Sequence, residues 1–191
     1  MNPQAPTRIS PGPLVLTAIV LIAALTRVLP HPPNFSPVEA VALFGGAYFA
    51  SRAWALAVPL IAMLASDLVL GLVHGGIYFE YFVSAHFVAI YLCIALSTIL
   101  GFNLRGRVGA ARVVGYSLAG SALFFVFSNF AVWLTATPGH GACNLGLAPC
   151  YVAALPFFQW TVLGTLFYGA LMFGGFELLR SRMPQLQPHT V

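Results

Sequence analysis

Six apolar segments separated by short polar stretches constrain most strongly what this chain can fold into. A membrane-spanning helix needs about 20 mostly apolar residues. By that measure the predicted helices 1 to 6 lie at 13–29, 37–50, 53–73, 79–101, 112–136 and 153–179. Only 6% of the 191 residues are charged, against about 25% in an ordinary soluble domain. The sequence therefore predicts an all-α integral membrane protein. We expect a single six-helix bundle over 13–180, between cytoplasmic tails at 1–12 and 181–191.

The arginines predict how this bundle is oriented. The eight basic residues are all arginines, and only Arg27 falls on the outer side of the predicted helix alternation. Positive residues in short loops favour the cytoplasmic side of a membrane. We therefore expect both termini inside the cell, and the lipid bilayer is the expected partner. Because no basic run is present, no nucleic-acid partner is expected. The seven inner arginines are Arg8, Arg52, Arg105, Arg107, Arg112, Arg180 and Arg182.

A proline-rich break, residues 31–39, separates predicted helices 1 and 2. Ser36, Pro37 and Glu39 fit the N-cap, N1 and N3 positions of a capping box that restarts the helix. The 14 residues of predicted helix 2 span roughly 21 Å, short of the ~30 Å hydrocarbon core. Either this helix crosses a thinned or shielded region, or its amino end begins below the membrane surface. The second option makes the break a re-entrant segment whose backbone is buried by protein or water. Glu39 can serve as a cap, as a ligand-binding group, or as both.

Asp67 is the only acidic residue predicted to lie well inside a span. A carboxylate at that depth is costly unless it is paired or faces water, so such residues are functional candidates. Arg27, at the same end of helix 1, is its natural partner. Two interpretations stay open, a structural ion pair between these residues and a ligand-binding carboxylate.

Polar and aromatic residues concentrate in the outer half of the predicted bundle, which indicates a cavity open to the outside. Amide, imidazole and carboxylate groups would orient the polar parts of a substrate, and aromatic rings would stack on its flat parts. The candidate substrate-binding residues are His31, Asn34, Glu39, Asp67, His74, His86, Asn129, Trp133, Tyr151, Phe158 and Gln159.

Cysteine chemistry and catalytic motifs add little to this prediction. Cys143 and Cys150 could form a disulfide in an oxidising compartment, or they could bind a soft metal together with His140. We predict no resident metal or cofactor. The sequence has no His-Glu-x-x-His, Gly-x-Ser-x-Gly or phosphate-loop motif, so no catalytic residue and no enzyme activity are predicted.

Five short runs carry a family resemblance over about residues 25–175. They are Arg27-x-x-Pro30-His31-Pro32-Pro33-Asn34-Phe35-Ser36-Pro37, Ala42-Leu43-Phe44-Gly45-Gly46-Ala47-Tyr48-Phe49, Ser66-Asp67, Asn129-Phe130-x-Val132-Trp133, and Cys150-Tyr151 with Pro156-Phe157-Phe158. Together these runs resemble a bacterial family of uncharacterised six-helix membrane proteins. The resemblance implies a multi-pass protein of the bacterial inner membrane.

At the level of architecture this family is similar to the substrate-binding S-components of energy-coupling-factor vitamin transporters, including solitary cobalamin-type ones. The similarity implies transport, with capture of a vitamin or its precursor and an energising module as a potential partner. Predicted helix 1 lacks the Ala-x-x-x-Ala docking motif of many S-components, because Ile22 stands four residues after Ala18. If the substrate were cobalamin, His31, His74, His86 or a cysteine would supply the axial cobalt ligand. The alternatives are a membrane-embedded enzyme or a structural subunit of a larger membrane complex.

Overall fold

The computed structural model describes residues 11–82, 84–136, 138–139, 141–183 and 186, and this part of the chain contains helices but no strand. A 3-10 turn, Thr26–Val28, extends the first helix, and a π-helical turn, Ala170–Gly174, joins the last two. Most of the two predicted tails, Arg8 included, lies outside the described residues. The helices are α1 (Pro11–Leu25), α2 (Val38–Tyr48), α3 (Arg52–His74), α4 (Gly76–Phe82), α5 (Ala85–Gly101), α6 (Ala110–Leu134), α7 (Leu147–Gly169) and α8 (Gly175–Arg182).

Four helical stretches are long and apolar enough to cross a membrane. They are Arg52–His74, Ala85–Leu104, Ala110–Leu134 and Leu147–Arg182, while Gly12–Val28 and Val38–Tyr48 are apolar but shorter. The all-α class of the prediction is thus confirmed, and the four candidate spans indicate a multi-pass membrane protein.

Helix α2 is the central element of the bundle. Its residues Val38–Ala47 are all buried, and it packs against α1, α3, α5, α6 and α7. Its 11 residues span only about 16 Å at the α-helical rise. Because protein surrounds α2 on all sides, it does not have to match the thickness of the hydrocarbon core. This packing explains the short second helix expected from the sequence.

The carboxyl end of α2 is held by a side chain from the loop after α5. The Arg105 guanidinium donates to the carbonyl oxygens of Gly46 and Phe49, at 2.8 and 2.9 Å. The last carbonyls of a helix have no partner within the helix and carry partial negative charge, so a cation stabilises them. We call this end of the bundle, where Arg52, Arg105 and Arg112 lie, the arginine end.

The amino end of α2 differs from the capping-box prediction, which is wrong. Pro37 occupies the N-cap position, and no side chain caps the helix. The backbone of the break instead packs on α7, where a Cβ on Gly164 would lie 2.8 Å from the Ser36 nitrogen. Glu39 extends toward Thr165 of α7. Tertiary packing of the break thus overrides the local cap. We call this end of the bundle the break end.

Two other boundaries differ from the sequence-based ones. Predicted helix 4 is two helices: α4 ends at Phe82, and Ser84 caps α5, its hydroxyl accepting from the Phe87 amide at 3.1 Å. The last predicted helix begins at Leu147 instead of 153 and continues to Arg182.

A disulfide between Cys143 and Cys150 fastens the turn before α7 to the first residues of that helix. Pro149 is tolerated there because the first amides of a helix need no intrahelical acceptor.

Candidate functional site

A cavity with two adjoining lobes lies at the break end of the bundle. The first lobe has a volume of about 230 Å³ and the second of about 250 Å³. Ligand pockets typically measure about 300–1,000 Å³, so the two lobes together suit a small organic molecule. Residues from the break, α5, α6 and α7 line both lobes: Asn34, His86, Ile90, Phe124 and Thr161.

Polar side chains from four elements converge on the first lobe. Arg27 comes from the 3-10 turn after α1, His31 and Asn34 from the break, Glu39 from α2, and His86 from α5. Asn34 has a φ of 66°, a left-handed conformation that asparagine adopts more readily than most residues. The break therefore brings its polar side chains to the wall of the cavity.

Arg27 is held in this wall by a buried network. Its Nη1 contacts Asp67 Oδ1 at 2.6 Å and Ser66 Oγ at 3.2 Å. The Tyr91 hydroxyl donates to the other carboxylate oxygen, Asp67 Oδ2, at 2.7 Å, and Ser66 donates to the Ala24 carbonyl at 2.8 Å. Asp67 is 3% exposed and does not line either lobe. This geometry favours the structural ion pair among the two interpretations of Asp67.

Glu39 is the second buried carboxyl group, with 2% of its surface exposed. Its Oε1 has no hydrogen-bond partner, and its Oε2 lies 3.4 Å from Thr165 Oγ1. Within the described part of the chain, no cation forms a salt bridge with it. Since buried polar atoms are nearly always hydrogen-bonded, an exception calls for an explanation.

The two cavity histidines differ in their surroundings. His86 is half-buried, and its Nδ1 is buried without a partner. His31 is exposed, and its ring nitrogens lie 3.0 Å from the Pro32 carbonyl and 3.2 Å from that of Arg27. His86 is thus the imidazole that retains hydrogen-bonding capacity toward the lobes.

Tyr81, on α4 between two candidate spans, adds a hydroxyl to the first lobe. Burial, reinforced by the negative charge of Asp67, raises the pKa of Tyr81 to about 12. The hydroxyl therefore stays protonated at physiological pH and can both donate and accept a hydrogen bond.

The second lobe is more aromatic. Phe124 and Phe125 of α6 and Phe157 of α7 line it together with Asn129. The Asn129 amide donates one of its two N–H groups to the Phe125 carbonyl at 2.7 Å, which leaves its side-chain oxygen and the second N–H available. This lobe can hold an apolar or aromatic ligand body and offer it a hydrogen-bond acceptor and a donor.

Five of the eleven residues that the sequence nominated line the cavity, and six do not. The lining residues are His31, Asn34, Glu39, His86 and Asn129. The six outside the lining are Asp67, His74, Trp133, Tyr151, Phe158 and Gln159.

Several residues outside the lining have local roles that the structure explains. The Tyr151 hydroxyl donates to the Val126 carbonyl at 2.6 Å, and the Phe158 ring packs 4.7 Å from that of Phe125. Trp133 packs on Phe130 at 5.6 Å between ring centroids. His74 and Gln159 are exposed, with His74 Nδ1 lying 3.2 Å from the Leu70 carbonyl and Gln159 donating to the Pro156 carbonyl.

Sequence reasoning did not nominate several cavity residues. Arg27 was considered only as a partner of Asp67, and Tyr81, Phe124 and Thr161 were not placed in the site. Phe124 and Thr161 have no distinctive sequence signal, because each is one apolar or hydroxyl residue within a long apolar helix. Only the crossing of α6 and α7 beneath the break brings them together.

The cysteines adopt one of the two arrangements considered from the sequence. Cys143 and Cys150 form a disulfide, and Cys93 is free and buried. Disulfide sulfurs cannot act as the thiolate ligands that a soft metal requires, and His140 lies outside the described residues. Within the described ranges, no three potential metal-ligating side chains come together.

Comparison with known proteins gives one match. No curated protein and no solved structure matches this sequence. Residues 7–186 match a family of unknown function, DUF6580. Because the match covers nearly the whole chain, the protein belongs to the DUF6580 family.

Proposed function

We propose that this protein captures a small organic nutrient, such as a vitamin or its precursor, in the cavity at the break end. It would act as a substrate-binding membrane protein resembling the S-components of vitamin transporters. The observation that carries the proposal is the pair of buried polar atoms without partners, Glu39 Oε1 and His86 Nδ1, on one cavity wall. A ligand that supplied matching groups would remove the cost of leaving them unsatisfied.

The proposed orientation places the break end outside a bacterial inner membrane and both termini inside, with six membrane helices. Two independent features support it. Arg52, Arg105 and Arg112 lie at the arginine end, as the positive-inside rule favours for the cytoplasm. The Cys143–Cys150 disulfide lies at the opposite end, and disulfides persist in oxidising compartments.

The size of the cavity favours a small nutrient over cobalamin. Each lobe is smaller than a typical drug-sized pocket, and a corrinoid is larger than either lobe. His31 and His86 line the first lobe, whereas His74 does not. The proposal therefore needs no axial cobalt ligand. An energising module remains the proposed partner for import, because a binding cavity alone supplies no driving force.

Native mass spectrometry of the gently purified protein tests the proposal. We expect a co-purifying molecule of small mass with the wild-type protein and its loss in Asn34→Gly and His86→Ala. Glycine tolerates the left-handed backbone at position 34, so Asn34→Gly removes only the side chain. The matched control is Gln159→Ala, at a candidate residue outside the cavity, which should retain the molecule.

Two outcomes would contradict this function. Retention of the molecule by both cavity variants would place the binding site elsewhere. A stoichiometric protein partner without any small molecule would indicate the structural-subunit alternative, and turnover of the bound molecule would indicate a membrane-embedded enzyme.

A further inference from the structure

Glu39 has few hydrogen-bond donors for an ionised carboxylate. The Thr165 hydroxyl carries one hydrogen, which it can donate to the Thr161 carbonyl at 2.8 Å or to Glu39 Oε2 at the longer distance of 3.4 Å. The backbone amide of Glu39 itself is a second donor to the carboxyl group, and Oε1 has no partner. A protonated Glu39 could instead donate to the free lone pairs of Thr165 Oγ1. The contact with Thr165 therefore suits the protonated carboxyl group better than the ionised one.

The surrounding charges do not supply a counterion either. Arg27 lines the same lobe, but its closest contact is the 2.6 Å ion pair with Asp67. These two charges cancel, so an ionised Glu39 would leave the cavity wall with one net negative charge. The amino end of α2 favours the anion, but such dipole effects are small compared with the cost of burying an unpaired carboxylate.

Titratable side chains from four elements share the first lobe with Glu39 or interact with its charge. They are Arg27, His31, Tyr81, His86 and Cys93. Asp67 and Tyr91 lie behind Arg27. The residues that α6 and α7 contribute beside Glu39 or to its lobe carry no titratable group: Gly120, Phe124, Thr161 and Thr165. Only the two histidines could add a positive charge to the wall near neutral pH.

From these contacts we infer that Glu39 exchanges its proton for a small organic cation bearing an N–H donor. In the step, the Glu39 O–H bond breaks, the proton leaves to solvent, and the carboxylate accepts a hydrogen bond from the cationic N–H of the ligand. Charge is conserved, because one cation enters as one proton leaves and no electron is transferred. The inference rests on the proposed function, whose ligand class it specifies.

The second lobe limits the rest of this ligand. Phe124, Phe125 and Phe157 line it, and Phe124 also belongs to the first lobe with Glu39. A ligand whose cationic head binds Glu39 would thus place a short aromatic or aliphatic body in the second lobe, where the three phenylalanine rings can cover it. The inferred class is a small amphipathic monocation, such as an arylalkylamine or a protonated nitrogen heterocycle with an apolar substituent.

A matched series of probes tests the charge preference. Phenethylamine, phenethyl alcohol and 3-phenylpropionate share an aromatic body and differ in the charge of the head. We expect the amine to bind wild-type protein in lipid nanodiscs at least about tenfold more tightly than the alcohol, a difference of one charge-assisted contact. Glu39→Gln should abolish this preference, whereas Gln159→Ala should keep it.

Proton release is measured on the wild-type protein, so it does not depend on whether a variant folds. Isothermal titration of phenethylamine in buffers of different ionisation enthalpy should count up to one proton released for each amine bound. Where the free carboxyl is protonated, the affinity should rise about tenfold per pH unit. Protonated histidines would repel a cation too, so the titration is repeated with His31→Gln and His86→Gln. Because both residues line the cavity, these variants are expected to bind the amine more weakly, but each amine that binds should still release the proton.

Each outcome decides the inference. Equal binding of the alcohol and the amine, amine binding without proton release, or an unchanged preference in Glu39→Gln would overturn it. If the alcohol or the carboxylate binds best, the proposed capture of a nutrient is still supported, but the inference that the ligand is a cation is wrong. If no probe binds, the inference falls, and the native mass spectrum described above decides the proposed function separately.

Discussion

Arg27 and Asp67 show how this fold accommodates charge among apolar helices. Asp67 accepts one short contact at each oxygen, from Arg27 and from Tyr91, and the Arg27 side chain is 18% exposed. Replacing both members of a buried ion pair can be nearly neutral, but removing one leaves an uncompensated charge. The Arg27–Asp67 ion pair therefore links the end of α1 to α3, and removing either residue alone leaves a charge without a partner.

A double-mutant cycle on this pair tests the link. We expect Asp67→Asn and Arg27→Gln each to lower the free energy of unfolding by ~3–5 kcal/mol. The double variant should cost clearly less than the sum of the two. Tyr91→Phe, which removes only a hydrogen bond to the carboxylate, should cost ~1–3 kcal/mol. Steric trapping in bicelles measures these values, and additive single effects would refute a coupled pair.

Helix α2 shows, at the scale of elements, why particular small residues occur in the core. Where α2 crosses α5, a Cβ on Gly46 would lie within contact of the Thr98 carbonyl oxygen, and one on Gly101 would meet that of Leu43. Both obstacles are backbone atoms, which cannot rotate away as a side chain can. Small residues of this kind allow membrane helices to approach closely, and here they allow α2 to be enclosed.

Gly46→Ala should therefore destabilise the protein although alanine is the better helix former. The expected loss is ~1–3 kcal/mol from overpacking, together with reduced yield of folded protein in detergent. Gly115→Ala is the matched control, because its Cβ would meet nothing within 4 Å. It should be neutral or stabilise by up to about 1 kcal/mol. If the two variants are equally stable, α2 and α5 can move apart at this crossing without loss of stability, and the prediction is wrong.

On the scale of the whole molecule, the arginines and the disulfide lie at opposite ends of the bundle. Arg105 binds the carboxyl end of α2, while Cys143 and Cys150 close the turn before α7 near the cavity. The first feature suits the cytoplasm and the second an oxidising compartment. Together they predict that the cavity faces outward.

Thiol labelling on intact cells measures this orientation. After treatment with an impermeant reductant, an impermeant maleimide should label Cys143, the more exposed of the two cysteines, without lysis. In a Cys143→Ser/Cys150→Ser background, Ser181→Cys at the exposed end of α8 should react only once the cells are lysed. Labelling of position 181 in intact cells would reverse the proposed orientation.

The sequence alone was sufficient for the helical class, the apolar segments and the position of the break, because composition and proline chemistry act locally. It also nominated Glu39, Asn34, His31, His86 and Asn129, which line the cavity. Local patterns could not show that Pro37 is the N-cap, that Glu39 contacts Thr165, or that Trp133 and Gln159 lie outside the lining. Those outcomes depend on how α2 is enclosed by its neighbours. The enclosure of α2 determines which of the polar atoms around it lack hydrogen-bond partners. This enclosure is formed by contacts between residues far apart in the chain, which local sequence patterns do not reveal.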